Sequence, residues 1–296
     1  MGLETGISWT DYTWNPWQGC TKISPACANC YMFPGMWRWG KDPTVVRRSS
    51  PQTFNLPLKR KSAKNGGGYA MEPGKWVFTC SWSDWFHKDA DPWRDEAWAI
   101  VRARPDLNFQ IVTKRTERIK DCLPSDWGDG YRNVILIATV ENQEFLEKRV
   151  PDLFSVPAWR RGLSCEPLLG PLDFHRRCFA DNCQGECGWP SPFDLLGDNK
   201  NGSGALIDWI ITGGESGTGA RPSNPQWFRD VRDQCFLAGV PFHHKQNGEW
   251  VSVSEVEGPG EHFAFSDHRV VRRVGVAAAG RTIDGKVYDA FPSMGA

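Results

Sequence analysis

The chain has no apolar run approaching the roughly 18–20 residues that span a bilayer, and its first residues lack a basic segment followed by an apolar one. These absences exclude a membrane-spanning helix and lead to the expectation of a soluble, unexported, cytoplasmic protein with no membrane partner. Net charge is missing too, since 35 basic residues balance 35 acidic ones, so no whole-molecule field draws the chain onto nucleic acid. The run Gly213-Gly214-Glu215-Ser216-Gly217-Thr218-Gly219 has neither Rossmann nor Walker spacing. It reads instead as a turn that lets the backbone approach a ligand, with Glu215 facing the site. Ten cysteines in an unexported chain argue against a disulfide framework and for metal binding or plain buried thiols.

One further absence is more informative. Cys20, Cys27 and Cys30 are spaced C-x6-C-x2-C, and no fourth cysteine lies near them in the sequence. Structural zinc and electron-transfer iron–sulfur sites close their coordination with four protein ligands. A [4Fe-4S] cluster held by three thiolates keeps one iron open for a substrate or cofactor. A zinc knuckle completed by a distant Cys or His, and ordinary buried thiols, are the other readings of the spacing.

What is present is an alternation of short β-branched or apolar runs with amphipathic stretches, the signature of β/α units around a parallel sheet. The runs are residues 75–80, 109–113, 134–139, 161–165, 207–212 and 240–244, with a first strand near 6–10; helices are predicted at 91–103, 115–122, 142–153 and 225–238. Seven strands suit a complete or partial (β/α) barrel, an α/β fold. Nearly every run is followed by a polar cluster, and in such barrels the chemistry sits at the C-terminal ends of the strands. Ser83, Asp84 and Thr113 also suit helix caps; Lys114, Glu141, Glu166, Glu215 and Lys245 do not.

From Pro43 to Met71 there is no acidic residue, while Arg47, Arg48, Lys59, Arg60, Lys61 and Lys64 are basic. Pro51, Pro57 and Gly66-Gly67-Gly68 make this a loop, either a solvated one or one that contacts phosphate. The 16 tryptophans must largely fill the core, though Trp37, Trp39, Trp82 and Trp85 also suit stacking on a base. Residues 170–206 form an insertion whose His175, Cys178, Cys183 and Cys187 suit a Cys3His zinc site, a second cluster or unliganded thiols. Residues 1–250 read as the barrel with its insertion. Residues 251–296 read as a short β-rich extension packed on it, with a hairpin signal at Asp284-Gly285.

The segments Trp9-Thr10-Asp11-Tyr12-Thr13-Trp14-Asn15-Pro16-Trp17-Gln18-Gly19-Cys20 and Ser24-Pro25-Ala26-Cys27-Ala28-Asn29-Cys30-Tyr31 resemble the phage Gp37/Gp68 family, a radical S-adenosylmethionine (SAM)-like group. The likeness continues through Cys80–His87, Thr113-Lys114-Arg115, Thr139–Asn142, Ser164–Leu168, Gly213–Gly217 and Lys245–Trp250, although the thiol spacing departs from the usual radical-SAM C-x3-C-x2-C. The resemblance implies a radical-SAM-type barrel with a [4Fe-4S] cluster on Cys20, Cys27 and Cys30, SAM as cosubstrate, and an electron donor such as flavodoxin or ferredoxin. It further implies the cytoplasm of an infected bacterial host as the location. Lys114 then becomes the partner for the SAM carboxylate, Glu141 or Asp84 for its amino group or ribose, and Tyr31, Ser83 and Thr113 neighbours of the cofactor. Glu166, Glu215 and Lys245 are left for proton handling, and Gln246, Trp82, Arg47 and Arg48 for the substrate. The expected substrate is a nucleotide or DNA base, with a glycyl-thymidine isomerisation in phage DNA hypermodification as the sharpest version. Radical modification of a peptide, or a non-catalytic zinc-stabilised nucleic-acid-binding protein, are the rival readings.

Overall fold

The computed structural model describes residues 4–62, 64, 66–174, 195–196 and 206–294. The candidate ligands His175, Cys178, Cys183 and Cys187 lie outside the described residues. In chain order the elements are β1 (Tyr12–Trp14), β2 (Trp17–Gln18), α1 (Met32–Arg38), β3 (Arg47–Arg48), α2 (Pro51–Phe54) and β4 (Trp76–Thr79). There follow α3 (Asp91–Ala103), β5 (Asn108–Thr113), β6 (Val134–Thr139), α4 (Gln143–Phe154), β7 (Arg160–Cys165), β8 (Trp209–Gly213), α5 (Pro225–Ala238) and β9 (Phe242–Gln246). The last part holds β10 (Trp250–Ser252), β11 (His262–Ala264), β12 (Val270–Arg273) and α6 (Val276–Ala279).

Seven strands make one all-parallel sheet in the order β1-β4-β5-β6-β7-β8-β9. It curls strongly. Trp76 on β4 and Trp209 on β8 would be about 19 Å apart across a flat sheet, yet their rings are 5.7 Å apart. The result is a half-barrel, a partial (β/α) barrel with β1 and β9 at its edges. A hydrogen bond of 2.9 Å between Ser8 Oγ and His243 Nε2 links the segment before β1 to β9.

Strand side chains alternate between two apolar layers. Phe109, Ile111, Leu136, Leu163 and Ile210 face outward into the main core with the helices, whereas Ile135, Ile137, Trp209 and Ile211 join Trp9 inside the barrel. This leaves β6 buried along its whole length, as expected of a strand covered on both faces. The helices are started by local side chains: Asn142 accepts from the Phe145 amide at α4, and Asn224 from the Gln226 amide at α5. Gly239, at φ +70°, ends α5 in the left-handed conformation.

Several elements differ from the sequence reading, among them α1, which it did not include. The first strand is at Tyr12–Trp14 rather than near 6–10, because Ile7 and Trp9 turn into the barrel interior and Thr10 Oγ1 takes the Phe78 amide that a strand carbonyl would otherwise accept. The predicted helix 115–122 is instead a pair of 3-10 turns, Thr116–Arg118 and Lys120–Cys122. Its start is tied back by Asp84, and Pro124 follows. The basic stretch contains the one-turn helix α2, started by Ser50, which accepts from the Thr53 amide, and by Pro51.

Residues after Trp250 form the three-stranded sheet β10-β12-β11. Asp284 and Gly285 both take positive φ between the bridged Ile283 and Lys286, as a tight hairpin turn requires. Phe291 lies 5.5 Å from the Trp76 ring and 5.2 Å from that of Trp209, adding to the aromatic floor of the half-barrel. Among the described residues no helix is long and apolar enough to cross a membrane.

Candidate functional site

The floor of tryptophans leaves the opposite end of the barrel open, and there a cavity of about 410 Å³ forms at the C-terminal ends of the strands. That volume lies in the range of small-molecule sites. Lys114, one residue past β5, and Glu166, one past β7, both line it, as does Lys245 near the end of β9. The exposed Tyr31 also lines it, as do Trp82, Ser83, Asp84, Thr113 and Cys30.

A second, smaller cavity of about 60 Å³ is ringed by Cys20, Cys27 and Cys30 together. The two cavities share Cys30, Ser81, Ser83, Asp84 and Lys114 in their walls, so the thiol loop faces the barrel interior. Among the described residues no three Cys, His, Asp or Glu side chains are gathered closely enough to hold a single metal ion. Burial, with the nearby charge of Asp84, pushes the Cys20 thiol up to about 12, and burial also raises Cys30. A metal binding here must therefore displace protons.

The carboxylates divide into two groups. Glu166 faces the cavity, 3.3 Å from Lys245 Nζ. Burial pushes its pKa up despite Lys245, the Trp9 indole and Lys114 nearby. Gly213 leaves room for this side chain, since a Cβ there would meet the Glu166 carboxylate. Trp9 is buried and lines the cavity, its indole N–H close to the Glu166 carboxylate without a well-formed hydrogen bond.

Glu141 and Glu215 instead hold the cysteine loop. Fully buried Glu141 pairs with Arg149 at 2.6 Å and accepts the Ala26 amide at 3.4 Å, one residue before Cys27. Glu215 accepts from Asn29 Nδ2 at 3.0 Å and pairs with Arg221, whose guanidinium also reaches the Pro25 carbonyl. Burial pushes Glu215 up, but its bonds from Arg221 and Asn29 outweigh that and leave its pKa lowered. Neither carboxylate lines the large cavity. The glycine run likewise approaches the chain itself: a Cβ on Gly214 would collide with the Asn247 carbonyl, and one on Gly219 would press on Asn29.

The other predicted residues are placed as follows. Asp84 is buried, and its two oxygens take Thr113 Oγ1, the Phe86 amide and the Lys114 amide, so it pins the β5 loop. Thr113 is used in that same bond, and Ser83 donates to the Gly19 carbonyl. Tyr31 donates to the Ser81 carbonyl at 2.6 Å. Trp82 packs on Met32, Phe33 and Met36 of α1. Gln246 bonds to the Gly214 carbonyl and does not line the cavity. Arg48 pairs with Glu96 and lies over the Phe54 ring, and Arg47 bonds to the Asp42 and Val45 carbonyls. Lys114 Nζ has no hydrogen-bond or ion-pair partner among the described residues.

Arg115 was not singled out by sequence. It is buried, lines the thiol cavity, and donates twice to Thr21, the residue after Cys20. Its Nε–H has no partner, an orphan cationic donor beside a thiol. Its position directly after Lys114 in a strand-end polar cluster was the available signal. Cys80, at φ +58° and buried at the end of β4, is a further thiol on the wall of the large cavity.

No curated protein and no solved structure matches the chain. The family profile described as "Protein of unknown function (DUF5131)" matches residues 4–292, and the chain belongs to that family.

Proposed function

We propose that this chain is a radical SAM enzyme that holds a [4Fe-4S] cluster on Cys20, Cys27 and Cys30 and abstracts hydrogen from a nucleotide- or DNA-base-linked substrate. The observation that carries the proposal is the pair of adjoining cavities, one ringed by three thiols, the other lined by ionic side chains and sharing Lys114 and Cys30 with it. Thiols that surround a space rather than a point suit a cluster, whose separate irons take separate thiolates. They suit zinc less well, because all its sulfur ligands stand about 2.3 Å from one centre. The resemblance to the phage Gp37/Gp68 family adds the expectation of SAM beside the cluster. Held together there, the two groups would supply reductive cleavage of the sulfonium and hydrogen abstraction from the substrate.

The chain's own residues bind, orient and exclude water. The Lys114 ammonium is available to a carboxylate at the junction of the cavities. Glu141 and Glu215, with Arg149 and Arg221, fix the cysteine loop from behind. The aromatic floor closes the barrel to water from its far end.

On the cavity wall, the Trp9 N–H and the Lys245 ammonium lie near the Glu166 carboxylate and with it offer donor, acceptor and donor. That set complements an imide edge, acceptor–donor–acceptor, such as thymine presents. It favours the narrower version of the reading, in which the hydrogen comes from a glycyl α-carbon N-linked to thymidine and the linkage moves to carbon.

Anaerobic reconstitution tests the proposal. The expected result is a full cluster's iron per chain, lost in Cys27→Ala, and 5′-deoxyadenosine on addition of SAM and reductant. Zinc without iron at the three thiols would overturn it in favour of a zinc-stabilised binding protein.

A further inference from the structure

The helix after the cysteine loop carries more exposed aromatic surface than its packing needs. Met32, Phe33 and Met36 of α1 are buried against Trp82, yet Trp37 and Trp39 are 62% and 73% exposed. Tyr31, Ile23 and Val45 are also exposed close by in the chain. Large apolar side chains concentrated in this way mark an interaction surface. Between Lys22 and Arg47 the charges are Lys22, Arg38, Lys41 and Arg47 against the single acid Asp42, so this face is locally cationic on a chain of zero net charge.

Pairwise contacts link these residues. Trp37, Arg38, Trp39 and Lys41 share the tight turn that ends α1, closed by Trp39 and Lys41 amides on the Met36 carbonyl and by the Gly40 amide on Trp37. Trp37 meets Phe33 edge to face at 6.2 Å, and Lys22 lies over the Phe33 ring at 4.8 Å. On the other side Lys41 Nζ donates to Gln18, which is paired with Arg47 across β2 and β3. At the near end Tyr31 is on the wall of the large cavity.

We infer that the Trp37–Lys41 turn with Arg47 is a track for single-stranded nucleic acid leading to the cavity mouth. The turn brings together exposed aromatic and cationic side chains, the two residue types that hold the bases and phosphates of a strand. Bases stack on exposed rings for about 1–3 kcal/mol each, and phosphates are held by Lys and Arg. A cavity of about 410 Å³ has room for a base, and a base is taken from a polymer by extrusion into such a pocket. The track therefore presents the substrate base on a strand and keeps the strand outside. This inference rests on the nucleobase reading of the cavity but does not involve cluster or SAM.

The test uses the full chain without cluster. Fluorescence anisotropy of a labelled single-stranded oligonucleotide is expected to show binding that weakens as salt rises. Trp37→Ala with Trp39→Ala should weaken it at least about 30-fold, the loss of two stacked bases at the low end. Arg38→Gln with Lys41→Gln should lower the slope of log affinity against log salt by about 0.7 for each phosphate contact removed. Circular dichroism checks that both variants fold, and if the tryptophan pair does not, the Gln pair alone decides. Absence of oligonucleotide binding by the parent chain overturns the inference, as does wild-type affinity and salt slope in the folded variants, or binding of polyglutamate in place of the oligonucleotide. Thymidine binding followed separately by calorimetry distinguishes the two readings: thymidine bound without the oligonucleotide leaves the cavity reading intact and removes the track, and the converse removes the cavity reading.

Discussion

Replacing Glu141 by Gln separates a brace for the cysteine loop from a contact to a cofactor. The carboxylate is fully buried, 2.6 Å from Arg149, which is itself only 3% exposed. Arg149 also donates to the Thr139 carbonyl at 2.7 Å and lies 4.4 Å from the Phe145 ring, so it cannot swing to solvent without losing both contacts. Glutamine keeps the shape and one acceptor but leaves the guanidinium charge uncompensated. Removing one member of a buried ion pair costs about 3–5 kcal/mol. In a chain of 296 residues that lowers Tm by roughly 5–8 °C. The double change Glu141→Met with Arg149→Met leaves no lone charge and should lose less than Glu141→Gln alone. Thermal and urea unfolding followed by circular dichroism measure both variants. A Glu141→Gln protein within about 1 kcal/mol of the parent, but with SAM affinity lost after reconstitution, would show that the carboxylate contacts a ligand and refute the bracing argument.

Lys114→Met should weaken SAM binding about 10- to 100-fold, the worth of one hydrogen bond to a charged group, with unfolding unchanged because no ion pair is broken; equilibrium dialysis on reconstituted protein measures it, and unchanged affinity would remove Lys114 from the carboxylate role. Arg115→Gln takes away an orphan N–H donor beside Cys20 and should lower the reduction potential of the loaded cluster by about 59 mV, a tenfold shift in a one-electron couple. A redox titration followed by electron paramagnetic resonance reads that shift, and an unmoved midpoint would leave Arg115 as a clamp on Thr21 alone. His243 and His244 are held down to about 4 by burial, from an ordinary 6.5. The unfolded chain therefore takes up their protons first, and the stability they contribute is complete above pH 6.5 and lost as pH falls from there towards 4. Each is worth about 3 kcal/mol by pH 4, and a urea midpoint that stays flat between pH 7 and 4.5 would contradict this.

The strands were legible because each is a short apolar run between polar clusters. Val134–Thr139 was placed without error, and Asn108–Thr113 and Arg160–Cys165 differ from the sequence reading by one residue at the start. The ends of β8 and β9 shifted further, where their register is irregular at Thr212 and Gly213 and the half-buried Lys245 and Gln246 extend β9 beyond the buried histidines. Of the site, the polar residues after the strands were legible as a set but not by role. Lys114, Glu141, Glu166 and Glu215 all continue the inward-facing alternation of their strands, and sequence shows no more than that. What separates them is height above the sheet. Lys114 and Glu166, one residue past their strands, line the cavity, whereas Glu141 and Glu215, two past, reach the cysteine loop. Their partners Ala26 and Asn29 lie 115 and 186 residues away in the chain, so only the closed barrel brings them together. A carboxylate two residues beyond an inward-facing strand end is thus a carrier of the thiol loop, and moving the same charge back by two positions, which keeps it on the inward face, would turn it towards whatever the cavity holds, as Thr139 already does.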